Sequence, residues 1–183
     1  MSRRFLLASV VTAILLGSCA TPPAHARKSQ PAPVKSQEES AAWRTAQADE
    51  LYYTSLKFLF GHNESAMGDM ASAYYIVMPN GDGIGDPSDA FMARFEKITP
   101  IVKKGSECKT AGAITDRKLN TAGILFFVES IQWITDEEAI VEGGYEEDTA
   151  TAARVTCRLK YNKNRWKVAK SVERAPRAPA PAK

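Results

Sequence analysis

The spacing of apolar positions changes once along this chain, and the change divides it into a helical first half and a strand-built second half. Residues 38–60 contain neither proline nor glycine and set Ala48, Tyr52, Leu56 and Leu59 at three- and four-residue steps, which predicts a helix that Gly61 ends. Residues 71–78 read as a buried strand leading into the glycine-rich turn 80–85. Asp86-Pro87-Ser88-Asp89 then predicts a short second helix to about Lys97, with Asp86 as N-cap, Pro87 in the first helical position and Asp89 at the third, and Pro100 just beyond its end.

From Gly123 the period falls to two. Residues 124–134 are rich in β-branched and aromatic side chains and stop at Thr135-Asp136-Glu137, and residues 139–145 stop at Glu146-Glu147-Asp148. Residues 151–161 alternate most clearly: Ala153, Val155, Cys157, Leu159 and Tyr161 share one face, while Arg154, Thr156, Arg158 and Lys160 make the other face basic. Asn162-Lys163-Asn164 predicts a hairpin turn into residues 165–172. The expected fold class is α+β: an N-terminal helix and a short second helix packed on a curved antiparallel sheet with a C-terminal four-strand meander.

Composition sets the boundaries. Arg3 and Arg4 precede an apolar run, residues 5–16, too short to span a bilayer, and the run ends in Leu16-Gly17-Ser18-Cys19. This resembles a bacterial lipoprotein signal. The resemblance implies cleavage before Cys19, a diacylglycerol on its thiol, palmitate among the acyl chains, and a membrane partner held through the anchor. Ala20 in the second mature position resembles the outer-membrane sorting pattern of a host with two membranes. A conventional cut after Ala24-His25-Ala26 also fits and would release a soluble secreted or periplasmic protein, and Ser2-Arg3-Arg4-Phe5-Leu6 resembles a twin-arginine signal lacking one residue. Every one of these readings exports the chain. The expected organisation is a signal peptide at 1–18, a Pro/Ala/Ser-rich tether at 19–37, one α+β domain at 38–173 and a disordered Pro/Ala-rich basic tail at 174–183.

Export bears on the cysteines. With Cys19 acylated, Cys108 and Cys157 remain as an even pair, and a disulfide between them is the simple expectation in an oxidising compartment, with two buried thiols as the alternative. Charge is uneven: the chain carries +3 overall, but Arg3, Arg4 and the six cations of residues 20–37 and 174–183 account for more than that, leaving residues 38–173 at −5. An acidic domain argues against a nucleic-acid partner, and the basic flanks read as solvated linkers before tethers near anionic lipid headgroups or cell-wall polymer.

Element order, together with the ending Arg165-Trp166-Lys167-Val168, resembles the cone fold of the nuclear transport factor and ketosteroid isomerase superfamily over residues 38–172. Gly105-Ser106-Glu107-Cys108, the run from Trp133 through Glu142-Gly143-Gly144-Tyr145, and Asp86-Pro87-Ser88-Asp89-Ala90-Phe91 are similar to a group of exported bacterial proteins with no assigned activity. The resemblance implies a fold and supplies no function. Enzymes of the cone superfamily work through acids, histidines or tyrosines in the pocket.

No catalytic residue is assigned. His62, the only histidine of the domain, lies just past a helix end, where the dipole favours a cation, and Glu129 and Glu142 sit on strands at positions that usually face solvent. Serine-nucleophile, metal-histidine and phosphate-loop motifs do not occur, and no cofactor is expected. Asn80, Asp82, Ile84, Asp86 and Asp89 resemble a thrombospondin-type or EF-hand calcium loop, but turn and helix-cap chemistry explains the same residues, so no metal is assigned. Tyr52, Tyr74, Trp133, Tyr145 and Trp166, with Tyr53 and Tyr75, could line an apolar pocket or form the core. The expected function is a non-catalytic cell-envelope binding module for a partner protein or small apolar ligand, with a small cone-fold enzyme and a structural envelope protein as alternatives.

Overall fold

The computed structural model describes residues 36–81, 83–148 and 152–174. The expected signal peptide with Cys19, the tether up to residue 35, Asp82 and the tail beyond Arg174 lie outside the described residues.

Helix α1 (Gln37–Gly61) begins at a complete capping box: the Ser36 hydroxyl accepts from the Glu39 N–H at 3.2 Å and the Glu39 carboxylate accepts from the Ser36 N–H at 2.8 Å. It ends at His62, whose N–H donates to the Leu59 carbonyl. Leu51, Ser55, Leu56 and Leu59 are buried along one face at helical spacing. The strands are β1 (Ala73–Pro79), β2 (Ile84–Gly85), β3 (Ile101–Lys104), β4 (Cys108–Lys109), β5 (Thr115–Asp116), β6 (Gly123–Thr135), β7 (Glu138–Glu146), β8 (Ala152–Asn162) and β9 (Arg165–Arg174). Helix α2 (Asp89–Met92) runs into a 3-10 turn, Ala93–Phe95.

The main sheet has the order β2-β1-β6-β7-β8-β9, with β3 pairing with β1 as well. β6 to β9 form the expected meander, every neighbouring pair antiparallel. The β8–β9 turn places Lys163 and Asn164 at φ 51° and 60°, the left-handed pair that a two-residue hairpin needs. The sheet as a whole is mixed rather than antiparallel, because β1 runs parallel to both β6 and β3. The second helix is also shorter than expected. Its N-cap is Ser88, whose hydroxyl accepts from the Phe91 N–H, while Asp86 lies before the cap and binds Ser106.

The two sheet faces are buried unequally. α1 covers one face, packing Leu51, Leu56 and Leu59 against Ile76, Ile124, Phe126, Val128, Val141 and Leu159. The second cluster, Ala73, Tyr75, Cys108, Ile114 and Leu125, takes the alternate residues of β1 and β6, so it lies on the opposite face under residues 105–122. Only the β1–β6 part of that opposite face is covered in this way. The β7 and β8 backbones approach closely at Gly144, where an added Cβ would fall 1.9 Å from the Ala153 carbonyl oxygen.

Candidate interaction surface

The five pocket aromatics belong to the core. Tyr74 is 7 % exposed and packs edge-on against Phe126, with its ring also against Phe60. Tyr145, 3 % exposed, donates to the Glu173 carboxylate at 2.7 Å and accepts from the Glu64 N–H at 3.0 Å. Burial and then the bond to Glu173 push its phenol up to about 12, which keeps it a neutral tether between the end of α1 and β9. Trp133 and Trp166 stack with Trp43 and Tyr161 where α1 begins, and the Trp166 indole donates to the Gln47 amide oxygen at 3.0 Å. Tyr52 is half-buried beside the same core, with burial raising its phenol pKa. The structure therefore packs these rings into one core in two groups, Tyr74 and Tyr145 about Phe126 and Trp133 and Trp166 about Trp43, with Tyr52 beside them.

The remaining sequence candidates are dispersed. The His62 ring lies on Phe58 at 4.0 Å and its Nδ1 is 2.9 Å from the Phe58 carbonyl, a helix-end arrangement. Glu129 pairs with Arg154, and Glu142 faces solvent. In the acidic loop, Asp86 accepts two hydrogen bonds from Ser106 and Asp89 is paired with Lys104, so these carboxylates are engaged by different partners; Asn80 and Ile84 flank the turn. Among the described residues no three His, Cys, Asp or Glu side chains gather as metal ligands.

The two expected disulfide partners are not brought together. Cys108 is buried in the cluster under residues 105–122, with its thiol donating to the Gly105 carbonyl, whereas Cys157 is buried in the α1-covered cluster. Cys108 stands on β4 of the small two-stranded sheet and Cys157 on β8 of the main sheet. Burial pushes the Cys157 thiol up to about 11 and raises the Cys108 thiol as well.

One buried polar network escaped the sequence reading. Asp116, 3 % exposed, accepts from Lys103 Nζ at 2.6 Å, from the Tyr75 hydroxyl at 2.9 Å and from the N–H groups of Lys118 and Leu119. The Lys103 bond first, then the two backbone donors, hold its carboxyl well below the usual range, while burial first and Asp116 next raise the Tyr75 phenol. With the Asp116 carboxylate held by four donors, the network clasps the 117–122 turn onto β1 and β3.

The uncovered part of the sheet carries the chain's most asymmetric chemistry. On β8, Arg154, Arg158 and Lys160 point away from the core, and directly across on β9 stand Arg174, Lys170 and Lys167 respectively. Arg154 lies over the Phe127 ring at 4.5 Å and pairs with Glu129, and Arg158 pairs with Glu138. Lys160 faces Glu138 across β7 without closing a salt bridge. Lys167, Lys170 and Arg174 make no salt bridge among the described residues. A cleft of about 210 Å³ opens on this face between Glu129, Glu142, Arg154 and Arg174.

β9 places these cations through an irregularity. Lys167 and Lys170 are three residues apart, an odd number that would send them to opposite faces of a regular strand. The register shifts between Arg158 and Leu159, leaving Ala169 unpaired, and the extra residue turns Lys170, Val172 and Arg174 to the outer face while Ser171 and Glu173 turn inward. No protein-family model, curated protein or solved structure matches the chain.

Proposed function

We propose that this chain is a lipid-anchored protein of the bacterial cell envelope whose folded domain is a non-catalytic binding module acting through its surface. The observation that carries the second half of this reading is the use of the aromatic residues. Rings that could have lined a ligand pocket are packed into one core, with Tyr145 among them bound to Glu173, and Asp116 on the opposite sheet face is bound to Lys103 and Tyr75. Recognition is thereby left to the outer face of the meander. Support for the first half is the Arg3-Arg4, apolar-run and Leu16-Gly17-Ser18-Cys19 succession, followed by a proline-rich stretch before Ser36 caps the first helix.

Mass spectrometry of the mature N-terminus from a bacterial expression host tests the anchor. Acylated Cys19 is the expected result, with loss of membrane fractionation in Cys19→Ser. A mature chain beginning at Arg27 would refute it.

A further inference from the structure

We propose that the outer face of β8 and β9 seats against an anionic phospholipid surface, so that the domain lies on the membrane with α1 turned away from it. The choice of lipid as the anion rests on the anchored reading above. The geometry rests on the paired cations.

Cross-strand neighbours on one face of an antiparallel pair stand about 4.5–5.5 Å apart, and like charges directly opposite one another are destabilising. Arg154 with Arg174, Arg158 with Lys170, and Lys160 with Lys167 place three such pairs on one face. Lysines on an edge strand commonly serve to block pairing with another chain, and that reading covers β9. It does not cover β8, which is an interior strand with both edges paired, nor the unpaired Ala169 that turns Lys170 and Arg174 toward the β8 cations. Glu129 and Glu138 answer Arg154 and Arg158 on β8, which leaves Lys167, Lys170 and Arg174 of β9 to be met by a surface of opposite charge.

Three further observations select a planar anionic surface. The cations spread over two adjacent exposed strands instead of converging on a pocket, a layout suited to many headgroups at once. The domain's net charge is negative, with Glu38, Glu39, Asp49 and Glu50 on α1 across the sheet, and on the outer face itself the acids Glu129, Glu138 and Glu142 stand on β6 and β7, so the positive charge is concentrated at the β8–β9 edge. The basic face also runs directly into the acid-free segment 174–183, which adds Arg177 and Lys183.

The described residues form one unit with its own core, so the chain from residue 19 onward, carrying Cys19→Ser and therefore no acyl group, is suited to the test. It is sedimented with vesicles of phosphatidylcholine alone or mixed with phosphatidylglycerol. Binding to the mixed vesicles only is expected, lost in salt that shortens the screening length to about 3 Å. Each surface cation is worth about fivefold in partition, so Lys167→Gln/Lys170→Gln should bind roughly thirtyfold more weakly. A second variant, Lys160→Gln/Arg174→Gln, removes the opposite members of the same pairs and should lose as much, whereas Arg177→Gln/Lys183→Gln in the tail should lose less. Lys167→Gln/Lys170→Gln should melt no lower than the parent, because it removes repulsion, and Lys160→Gln/Arg174→Gln, which also gives up the attraction of Lys160 for Glu138, should keep a cooperative melt. Equal binding to the two vesicle types, undiminished binding by both face variants, or preference for duplex DNA over the anionic vesicles at the same salt would overturn the proposal. Because the tested chain carries no acyl group, these outcomes are independent of whether Cys19 is lipidated.

Discussion

Removing Trp166 tests whether the aromatic cluster is core. Its indole is 5 % exposed, packs against Trp43, Trp133 and Tyr161, and donates to Gln47. A buried tryptophan removes about 150–250 Å² from water, which at about 25 cal/mol per Å² is roughly 4–6 kcal/mol as an upper bound. Measured truncations of buried Phe or Trp to Ala fall at about 3–5 kcal/mol, so Trp166→Ala should cost about 4 kcal/mol. Trp166→Phe keeps a ring but loses the bond to Gln47 and part of the packing, and should cost about 1–2 kcal/mol. Against a total of about 5–15 kcal/mol for a domain, the first change brings the fold near its limit and the second does not. Urea unfolding followed by far-ultraviolet circular dichroism measures both. The chain has three tryptophans, all in this cluster, so the emission of Trp43 and Trp133 in each variant reports the same site independently. A cost under about 1 kcal/mol for Trp166→Ala would mean that the ring is not a core element, and would return these aromatics to candidacy as a ligand site.

Two further outcomes follow from buried ionisable groups. Cys108 and Cys157 should resist alkylation in the native protein at neutral pH, because burial raises both thiols, and should both alkylate in denaturant without reductant; a cross-linked Cys108–Cys157 peptide under non-reducing conditions would contradict the separate placement described above. Asp116 is ionised more readily in the fold than in the unfolded chain, so its contribution is present above the unfolded carboxylate value of about 4 and is lost as pH falls below it toward the folded value. Asp116→Asn should therefore melt lower than the parent near neutral pH, with the gap narrowing below about pH 4; a gap independent of pH would refute the ionised network.

Local pattern carried much of the architecture. The meander strands begin and end within a few residues of where alternation and polar turns place them, because each strand buries one face and a slip would expose it. The parallel placement of β1 beside β6 was not legible, since 43 residues separate Pro79 from Gly123 and no local period reports which edge a strand joins. The second helix illustrates a competition between neighbours: Asp86 and Ser88 are both good caps, and the Ser106 N–H and hydroxyl, distant in sequence, draw Asp86 away and leave the cap to Ser88. The basic face was half legible. Alternation on β8 shows its cations, whereas regular alternation from Lys167 would send Lys170 and Arg174 to the opposite face, and the unpaired Ala169 reverses that.

The junction at Ser36 also has a mechanical meaning. α1 runs from the Trp133 end of β6 to its Phe126 end, and near its start Ser40 and Arg44 hydrogen-bond Asp136 in the β6–β7 turn while Trp43 is wedged among Trp133, Tyr161 and Trp166. Any pull transmitted along the polypeptide from the N-terminal side enters the fold through these first turns. A tug along the helix axis would have to shear the whole helix across the sheet, whereas a tug away from the sheet would peel it from the Asp136 clasp inward, one turn at a time. The clasp and the tryptophan wedge stand where such peeling would begin, which makes them the strain relief of the first helix.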